Sequence, residues 1–126
     1  MAHILVVDDE YLTVQMLGTY LKLIGHQTAE AFSAQQAWER VAARIPDAIL
    51  LDIMLPDVNG IQLCRELRAN PPTAAIPILM ISAQAPPLLK EAEEAGANGY
   101  LIKPLNMLGL RSALDKAGVT ASSGLA

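Results

Sequence analysis

Short, nearly continuous apolar runs recur along the chain and predict β-strands. They lie at residues 4–7, 48–51, 76–81 and 100–102, and each is bounded by polar or turn-forming residues. A run of this kind is typical of a parallel strand buried on both faces. Residues 28–32 predict a weaker strand, because the segment contains Glu30 and two alanines. The pattern therefore predicts five strands.

Between and after the strands, apolar residues recur three or four positions apart and predict five helices. The predicted helices span residues 10–24, 34–45, 61–68, 88–95 and 107–117. Gly25 is placed to end the first helix. Ser33 is placed to cap the start of the second helix, and Pro46 to end it. The buried stripe of the first helix is predicted at Met16, Leu17, Tyr20, Leu21 and Ile24, with Tyr11, Leu12 and Val14 off it. That of the second is predicted at Ala37, Trp38, Val41 and Ile45.

Strict alternation of strand and helix predicts an α/β fold, with a parallel sheet between two layers of helices. The length of 126 residues is that of one domain. We predict this domain over residues 1–119. The small and polar residues 120–126 are predicted to form a flexible C-terminal tail.

Composition supports a packed domain and excludes some functions. Hydrophobic residues make up 52% of the chain, charged residues 17%, and the formal net charge is −4. This balance argues against binding nucleic acid or a membrane through the whole surface. The single cysteine, Cys64, falls on the apolar stripe of its helix and is predicted to lie in the core. With one cysteine and no membrane-span-length apolar stretch, the chain is predicted to be cytoplasmic.

Chemically active side chains stand where four of the predicted strands end. Asp8 and Asp9 follow the first strand, Asp52 the third, Ser82 the fourth and Lys103 the fifth. The carboxyl ends of parallel strands share one edge of the sheet, where ligands bind in open α/β folds. We therefore expect these side chains to lie together.

Three neighbouring carboxylates repel one another, and a hard divalent cation with oxygen ligands relieves that repulsion. Mg²⁺ is the ordinary candidate. Carboxylates, a hydroxyl and a lysine together are also suited to phosphoryl transfer, with one carboxylate as nucleophile. No Walker A motif or dinucleotide fingerprint is present, so direct use of ATP is not expected.

In four stretches the chain resembles the receiver domain of two-component response regulators, chemotaxis regulators included. The stretches are ILVVDDE at residues 4–10, LDIMLPD at 51–57 with Gly60, MISA at 80–83 and GANGYLIKP at 96–104. The resemblance implies a flavodoxin-like three-layer sandwich whose five-stranded parallel sheet has the order 2-1-3-4-5.

The resemblance also implies roles for single residues. Asp52 would be the phosphoacceptor, and Lys103 would pair with the phosphoryl oxygens. Ser82 would move toward the phosphoryl group, and Tyr100 would be the aromatic switch. The peptide bond between Lys103 and Pro104 would be cis. The implied Mg²⁺ ligands are the carboxylates of Asp8, Asp9 and Asp52 and the backbone carbonyl of Met54.

On this resemblance the protein is a signalling module, not an enzyme in its own right, that assists its own phosphorylation and dephosphorylation. A sensor histidine kinase or a histidine phosphotransfer protein would supply a phosphohistidine, and the surface over residues 85–117 would relay the signal. The effector or fused output domain stays open. The domain itself would bind neither nucleic acid nor a membrane, and it would be a monomer or a weak phosphorylation-dependent dimer. Tyr11, Leu12 and Val14 form part of a kinase-docking surface or are scattered surface residues.

Two functions from other classes compete with this interpretation. A phosphatase with an aspartyl nucleophile wants a second carboxylate two residues after it, where this chain has Met54. A flavodoxin relative binds the phosphate of FMN through a Ser/Thr-rich loop after the first strand. Here that loop is Asp8-Asp9-Glu10, which repels phosphate unless a metal intervenes.

Overall fold

The computed structural model describes residues 2–119, which form five strands and five α-helices. The strands are β1 (His3–Val7), β2 (Gln27–Ala31), β3 (Ala48–Asp52), β4 (Ile78–Ser82) and β5 (Gly99–Ile102). The helices are α1 (Tyr11–Leu23), α2 (Ala34–Ala43), α3 (Gly60–Ala69), α4 (Leu89–Glu94) and α5 (Met107–Lys116). A 3₁₀ turn over Pro71–Thr73 follows α3. The predicted flexible tail, residues 120–126, lies outside the described residues.

All strand pairs are parallel, and the sheet order is β2-β1-β3-β4-β5. This confirms the predicted flavodoxin-like fold. Every residue of β1, β3 and β4 is buried. Alternate strand residues point to opposite faces, so the core divides in two. One half packs α2, α3 and α4 against the sheet, and the other packs α1 and α5. The result is three layers.

Some predicted boundaries and faces were wrong. Val14, predicted off the buried stripe of α1, is fully buried, whereas Met16, predicted on it, is 46% exposed. α2 ends at Ala43, so Ile45 lies beyond the helix and is 45% exposed. Strand β2 runs one residue earlier than predicted, and β4 begins at Ile78. The prediction for Cys64 is confirmed, because it is fully buried in the core.

Two long-range polar contacts fasten the helices and loops around the sheet. Asp57, between β3 and α3, accepts hydrogen bonds of 2.9 Å from the backbone N–H groups of Ala34 and Gln35 at the start of α2. These bonds lower the pKa of the Asp57 carboxyl. At the end of α3, the guanidinium of Arg68 donates to four backbone carbonyls and to Asn98. The carbonyls are those of Thr73, Ala74, Ile76 and Gly96.

Two histidines lie at the opposite edge of the sheet, where the parallel strands begin. His3 and His26 are both buried and line one cavity together with Lys22 and Arg44. Burial is the largest cause of a lowered pKa at both histidines. Both side chains are therefore held in a place that disfavours their charged form. None of the helices within residues 2–119 has both the length and the apolar composition of a membrane span.

Candidate functional site

The structure brings the predicted carboxylates together at the carboxyl edge of the sheet. Asp8 follows β1 directly, and Asp52 is the last residue of β3. Asp8, Asp9 and Asp52 each have a carboxylate oxygen within 4.8 Å of the others. Asp8 and Asp52 are buried, whereas Asp9 is exposed. The three side chains could hold a metal ion.

Local backbone contacts hold the two buried aspartates in place. The carboxylate of Asp8 accepts a 2.9 Å hydrogen bond from the N–H of Glu10, which closes the turn into α1. Beside Asp52, the N–H of Gly60 donates to the carbonyl of Ile53 at 2.7 Å. A Cβ atom at Gly60 would lie 2.0 Å from the carbonyl oxygen of Asp52. Helix α3 therefore begins in direct contact with the backbone that carries Asp52, and only glycine fits there.

The ammonium of Lys103 lies among three carboxylates. Its Nζ is 2.7 Å from Oδ2 of Asp8, 2.8 Å from Oε1 of Glu10 and 3.5 Å from Oδ2 of Asp52. The backbone N–H of Lys103 donates to the carbonyl of Ser82 at 2.8 Å, which extends the β4–β5 pairing by one residue. The Lys103–Pro104 peptide bond is cis, as predicted.

Burial and the carboxylate of Asp8 raise the pKa of Asp52 to about 6, and the nearby Lys103 opposes this shift. Burial lowers the pKa of Lys103, but the hydrogen bonds to Asp8 and Glu10 outweigh it, so the net shift is upward. The hydrogen bond to Lys103 lowers the pKa of Glu10. The site thus holds four carboxylates and one ammonium, which contacts three of them, and this excess of negative charge fits a divalent cation with oxygen ligands.

A cavity of about 400 Å³ opens beside Asp52. Its polar wall is made by Asp9, Glu10, Asp52 and Lys103, and its apolar wall by Met54, Leu55, Pro56 and Ala83. The side chain of Met54 is 60% exposed, and its backbone N–H lies 3.4 Å from Oδ1 of Asp52. The carboxylate of Asp52 therefore faces this cavity.

Ser82 and Tyr100 lie outside the lining of this cavity. Ser82 is fully buried at the end of β4, and its hydroxyl accepts a 2.9 Å hydrogen bond from the N–H of Gln84. Tyr100 is half-buried on β5, and its hydroxyl accepts a 3.1 Å hydrogen bond from the N–H of Leu88. Tyr100 therefore links the edge strand to the residue before α4, and Ser82 is hydrogen-bonded to both Gln84 and the backbone of Lys103.

Sequence reasoning missed Glu10 as a member of the site. Its position directly after Asp8 and Asp9 was the available signal, but a third acidic residue in a turn is usually solvated. The contact with Lys103 joins residues 93 positions apart in the chain. Only the pairing of β1, β3, β4 and β5 brings the two together.

A family model described as the response regulator receiver domain matches residues 4–115. The chain is 40% identical over 104 residues to the phosphate regulon transcriptional regulatory protein PhoB of Pseudomonas aeruginosa. That match covers 82% of this chain and 45% of PhoB. This chain is also 40% identical over 102 residues to the DNA-binding response regulator MtrA of Mycobacterium tuberculosis. That match covers 80% of this chain and 43% of MtrA. The chain thus spans less than half the length of these relatives.

Solved structures agree over nearly the whole chain. The chemotaxis protein CheY4 of Vibrio cholerae has a TM-score of 0.86 at 29% identity, with 93% of this chain and 98% of that chain covered. The signal receiver domain of a signal transduction histidine kinase from Syntrophus aciditrophicus has a TM-score of 0.86 at 26% identity. That comparison covers 100% of this chain and 98% of the other.

Proposed function

This chain belongs to the response regulator receiver domain family of two-component signalling, and from that premise we propose that it carries its signal as a phosphoryl group on Asp52. The observation that carries the proposal is the position of this side chain. Asp52 is buried at the end of β3, beside Asp8 and Lys103, and one side of it faces the cavity. We propose a receiver unit over residues 1–119.

In the proposed reaction, an oxygen of Asp52 attacks the phosphorus of a phosphohistidine in line with the bond that breaks. A phosphorus–oxygen bond forms, the phosphorus–nitrogen bond breaks, and its electron pair stays on the imidazole nitrogen of the donor. Positioning and neutralisation of charge supply most of the catalysis in such transfers. Lys103 supports this role, because its ammonium stands where a phosphoryl group on Asp52 would place negative charge.

The carboxylates of Asp8, Asp9 and Asp52, together with the backbone carbonyl of Met54, are the proposed ligands of Mg²⁺. Their excess negative charge and all-oxygen chemistry fit this ion. When bound, Mg²⁺ neutralises charge on the phosphoryl oxygens. With the ion absent, the site keeps the mutual repulsion of its carboxylates, which also repels an anionic donor. We therefore propose that phosphorylation depends on Mg²⁺.

The proposed switch runs from Ser82 through Tyr100 to the surface made by α4, β5 and α5, over residues 85–117. The backbone carbonyl of Ser82 accepts a hydrogen bond from the N–H of Lys103, and Tyr100 is tied to the backbone just before α4. A new charge on Asp52 that recruits Ser82 would change the space available to the Tyr100 ring and so bias this surface. A change from 1:99 to 99:1 in its two states needs about 5.5 kcal/mol of bias.

The proposed donor is a sensor histidine kinase or a histidine phosphotransfer protein. The module is proposed to assist its own phosphorylation and dephosphorylation without being an enzyme in its own right. The downstream effector or fused output domain stays open. Four properties stay predictions: no direct binding of nucleic acid, no binding of membranes, a monomeric or weakly phosphorylation-dependent dimeric state, and a cytoplasmic location. The DNA-binding description of MtrA belongs to that longer protein.

The proposal is tested by the intact mass of the protein after incubation with acetyl phosphate, with and without Mg²⁺. We expect the gain of one phosphoryl group, dependent on Mg²⁺ and absent from Asp52→Asn. Asp115→Asn is the matched control, since Asp115 is an exposed aspartate on α5, far from the carboxyl edge of the sheet. Equal modification of Asp52→Asn and wild type would contradict the proposal.

A further inference from the structure

Glu10 is the exposed member of the three carboxylates around Lys103. The side chains of Asp8 and Asp52 are 0% and 5% exposed, whereas that of Glu10 is 62% exposed. The lysine side chain between them is 13% exposed. Two partners of the ammonium are therefore held inside the domain, and the third reaches it from solvent.

Three carboxylates compete for the ammonium of Lys103. An ammonium has three N–H donors and no acceptor, and three carboxylates lie within 3.5 Å of this one. A phosphoryl oxygen on Asp52 needs one of these donors. The donor that faces Asp52 can pass to a phosphoryl oxygen bonded there, but any further phosphoryl oxygen that reaches Lys103 competes with Asp8 or Glu10 for the remaining donors. Burial prevents Asp8 from leaving without stranding its charge.

Glu10 can leave at little cost. It stands at the N-cap position of α1, but its side chain makes no capping hydrogen bond. Its one other side-chain contact in the described part of the chain is a long hydrogen bond of 3.4 Å from the hydroxyl of Thr13. Removing Glu10 from Lys103 breaks one largely exposed ion pair, which is worth a factor of about two to five in an equilibrium constant.

We propose that Glu10 is a positioning residue that occupies a donor of Lys103 until the phosphoryl group displaces it. This inference rests on the proposed function of Asp52. Because the phosphoryl group has to displace Glu10, the two compete for Lys103. Glu10 therefore affects the concentration of phosphoryl donor at which Asp52 is phosphorylated. It does not act on the transfer step itself, because it has left Lys103 by then.

Two variants of Glu10 separate its contact with Lys103 from its charge. Glu10→Gln keeps the length of the side chain and removes the charge. Glu10→Asp keeps the charge but is one methylene too short to hold the contact of 2.8 Å. Glu39→Gln removes an equal charge from an exposed position on α2 and is the matched control. Thermal unfolding of each variant shows whether it is folded.

The rate of Asp52 phosphorylation is measured against the concentration of acetyl phosphate in saturating Mg²⁺. We expect Glu10→Gln and Glu10→Asp to lower the half-saturating concentration by about two- to fivefold, with the maximal rate unchanged within about twofold. The affinity for beryllofluoride, a phosphoryl analogue, should rise by the same factor. Glu39→Gln should behave as wild type.

Three results would overturn the inference while leaving the proposed function intact. One is a wild-type half-saturating concentration in both Glu10 variants. Another is a wild-type half-saturating concentration in Glu10→Asp together with a lowered one in Glu10→Gln. The local charge, and not the contact with Lys103, would then determine the half-saturating concentration of acetyl phosphate. The third is a change confined to the maximal rate. If the wild-type protein gains no phosphoryl group, both proposals are wrong. That outcome is seen in the wild-type measurement by itself, without any variant.

Discussion

Gly60 is the position where the smallest possible change should disturb both folding and the site. In Gly60→Ala the new Cβ would lie 2.0 Å from the carbonyl oxygen of Asp52 and 2.8 Å from the Cα of Ile53. Ordinary contacts of this kind begin at 3.4 Å, so the start of α3 has to move by about 1.4 Å. The obstacle is backbone in a buried strand, which cannot rotate away as a side chain would.

The expected cost follows from two losses. Overpacking of a buried site costs about 1–3 kcal/mol, and the 2.7 Å hydrogen bond from Gly60 to Ile53 is worth about 0.5–1.5 kcal/mol. Better helix propensity returns less than about 1 kcal/mol. We therefore expect the free energy of unfolding to fall by about 2–3 kcal/mol. Since a domain of this size has about 5–15 kcal/mol, the variant should still fold.

The assay is urea denaturation followed by circular dichroism, with the rate of phosphorylation measured on the folded variant. A shift of this size in the backbone of Asp52 should slow phosphorylation by tenfold or more, since a misplacement of about 1 Å can cost about 100-fold. Gly109→Ala is the control, because its Cβ would meet nothing closer than 3.8 Å within α5. That variant should be stabilised by about 0.5–1 kcal/mol and phosphorylated normally.

A stability of Gly60→Ala within about 0.5 kcal/mol of wild type would refute this reasoning. It would mean that α3 can move away from β3 without loss, and that the contact does not hold Asp52 in place. Equal effects of Gly60→Ala and Gly109→Ala would lead to the same conclusion.

Three further predictions concern contacts away from Lys103. Asp57→Asn should cost about 0.5–2 kcal/mol of stability at neutral pH. Hydrogen bonds lower the pKa of Asp57 in the folded state, so its contribution to stability is lost when the carboxyl is protonated. In urea titrations, the difference in unfolding free energy between wild type and Asp57→Asn should be largest above about pH 5 and should shrink as the pH falls below about 4. Because burial lowers the pKa of His3 and His26, the unfolded chain takes up protons first as the pH falls through about 6.5. The stability of wild type should therefore fall relative to His26→Gln between about pH 7.5 and 5.5. An unchanged difference would contradict the burial of that ring. Arg68→Met keeps the apolar stem but loses five hydrogen bonds, and thermal unfolding should show a cost of about 2–4 kcal/mol; a cost below about 1 kcal/mol would mean that water replaces them.

The central strands could be predicted from sequence because of where they lie. β1, β3 and β4 are buried on both faces, so each is an almost unbroken apolar run. The edge strand β2 is only partly buried, and its mixed composition left its boundaries one residue off. The face of α1 was predicted less well, since Met16 and Val14 are both apolar and periodicity alone could not decide which of them meets the sheet.

The sequence by itself determined which residue types end the strands, and parallel pairing was enough to expect Asp8, Asp52, Ser82 and Lys103 at one edge. It did not determine which atoms pair. Three arrangements join segments that are distant in the chain: the contact of Glu10 with Lys103, the hydrogen bonds of Asp57 to α2, and the cavity that His3 and His26 both line. Such contacts depend on where whole helices and loops settle after the sheet has formed. Local periodicity indicates which face of a residue's own helix or strand is buried. A polar pair depends on the placement of two elements relative to each other, and that placement is a property of the tertiary structure.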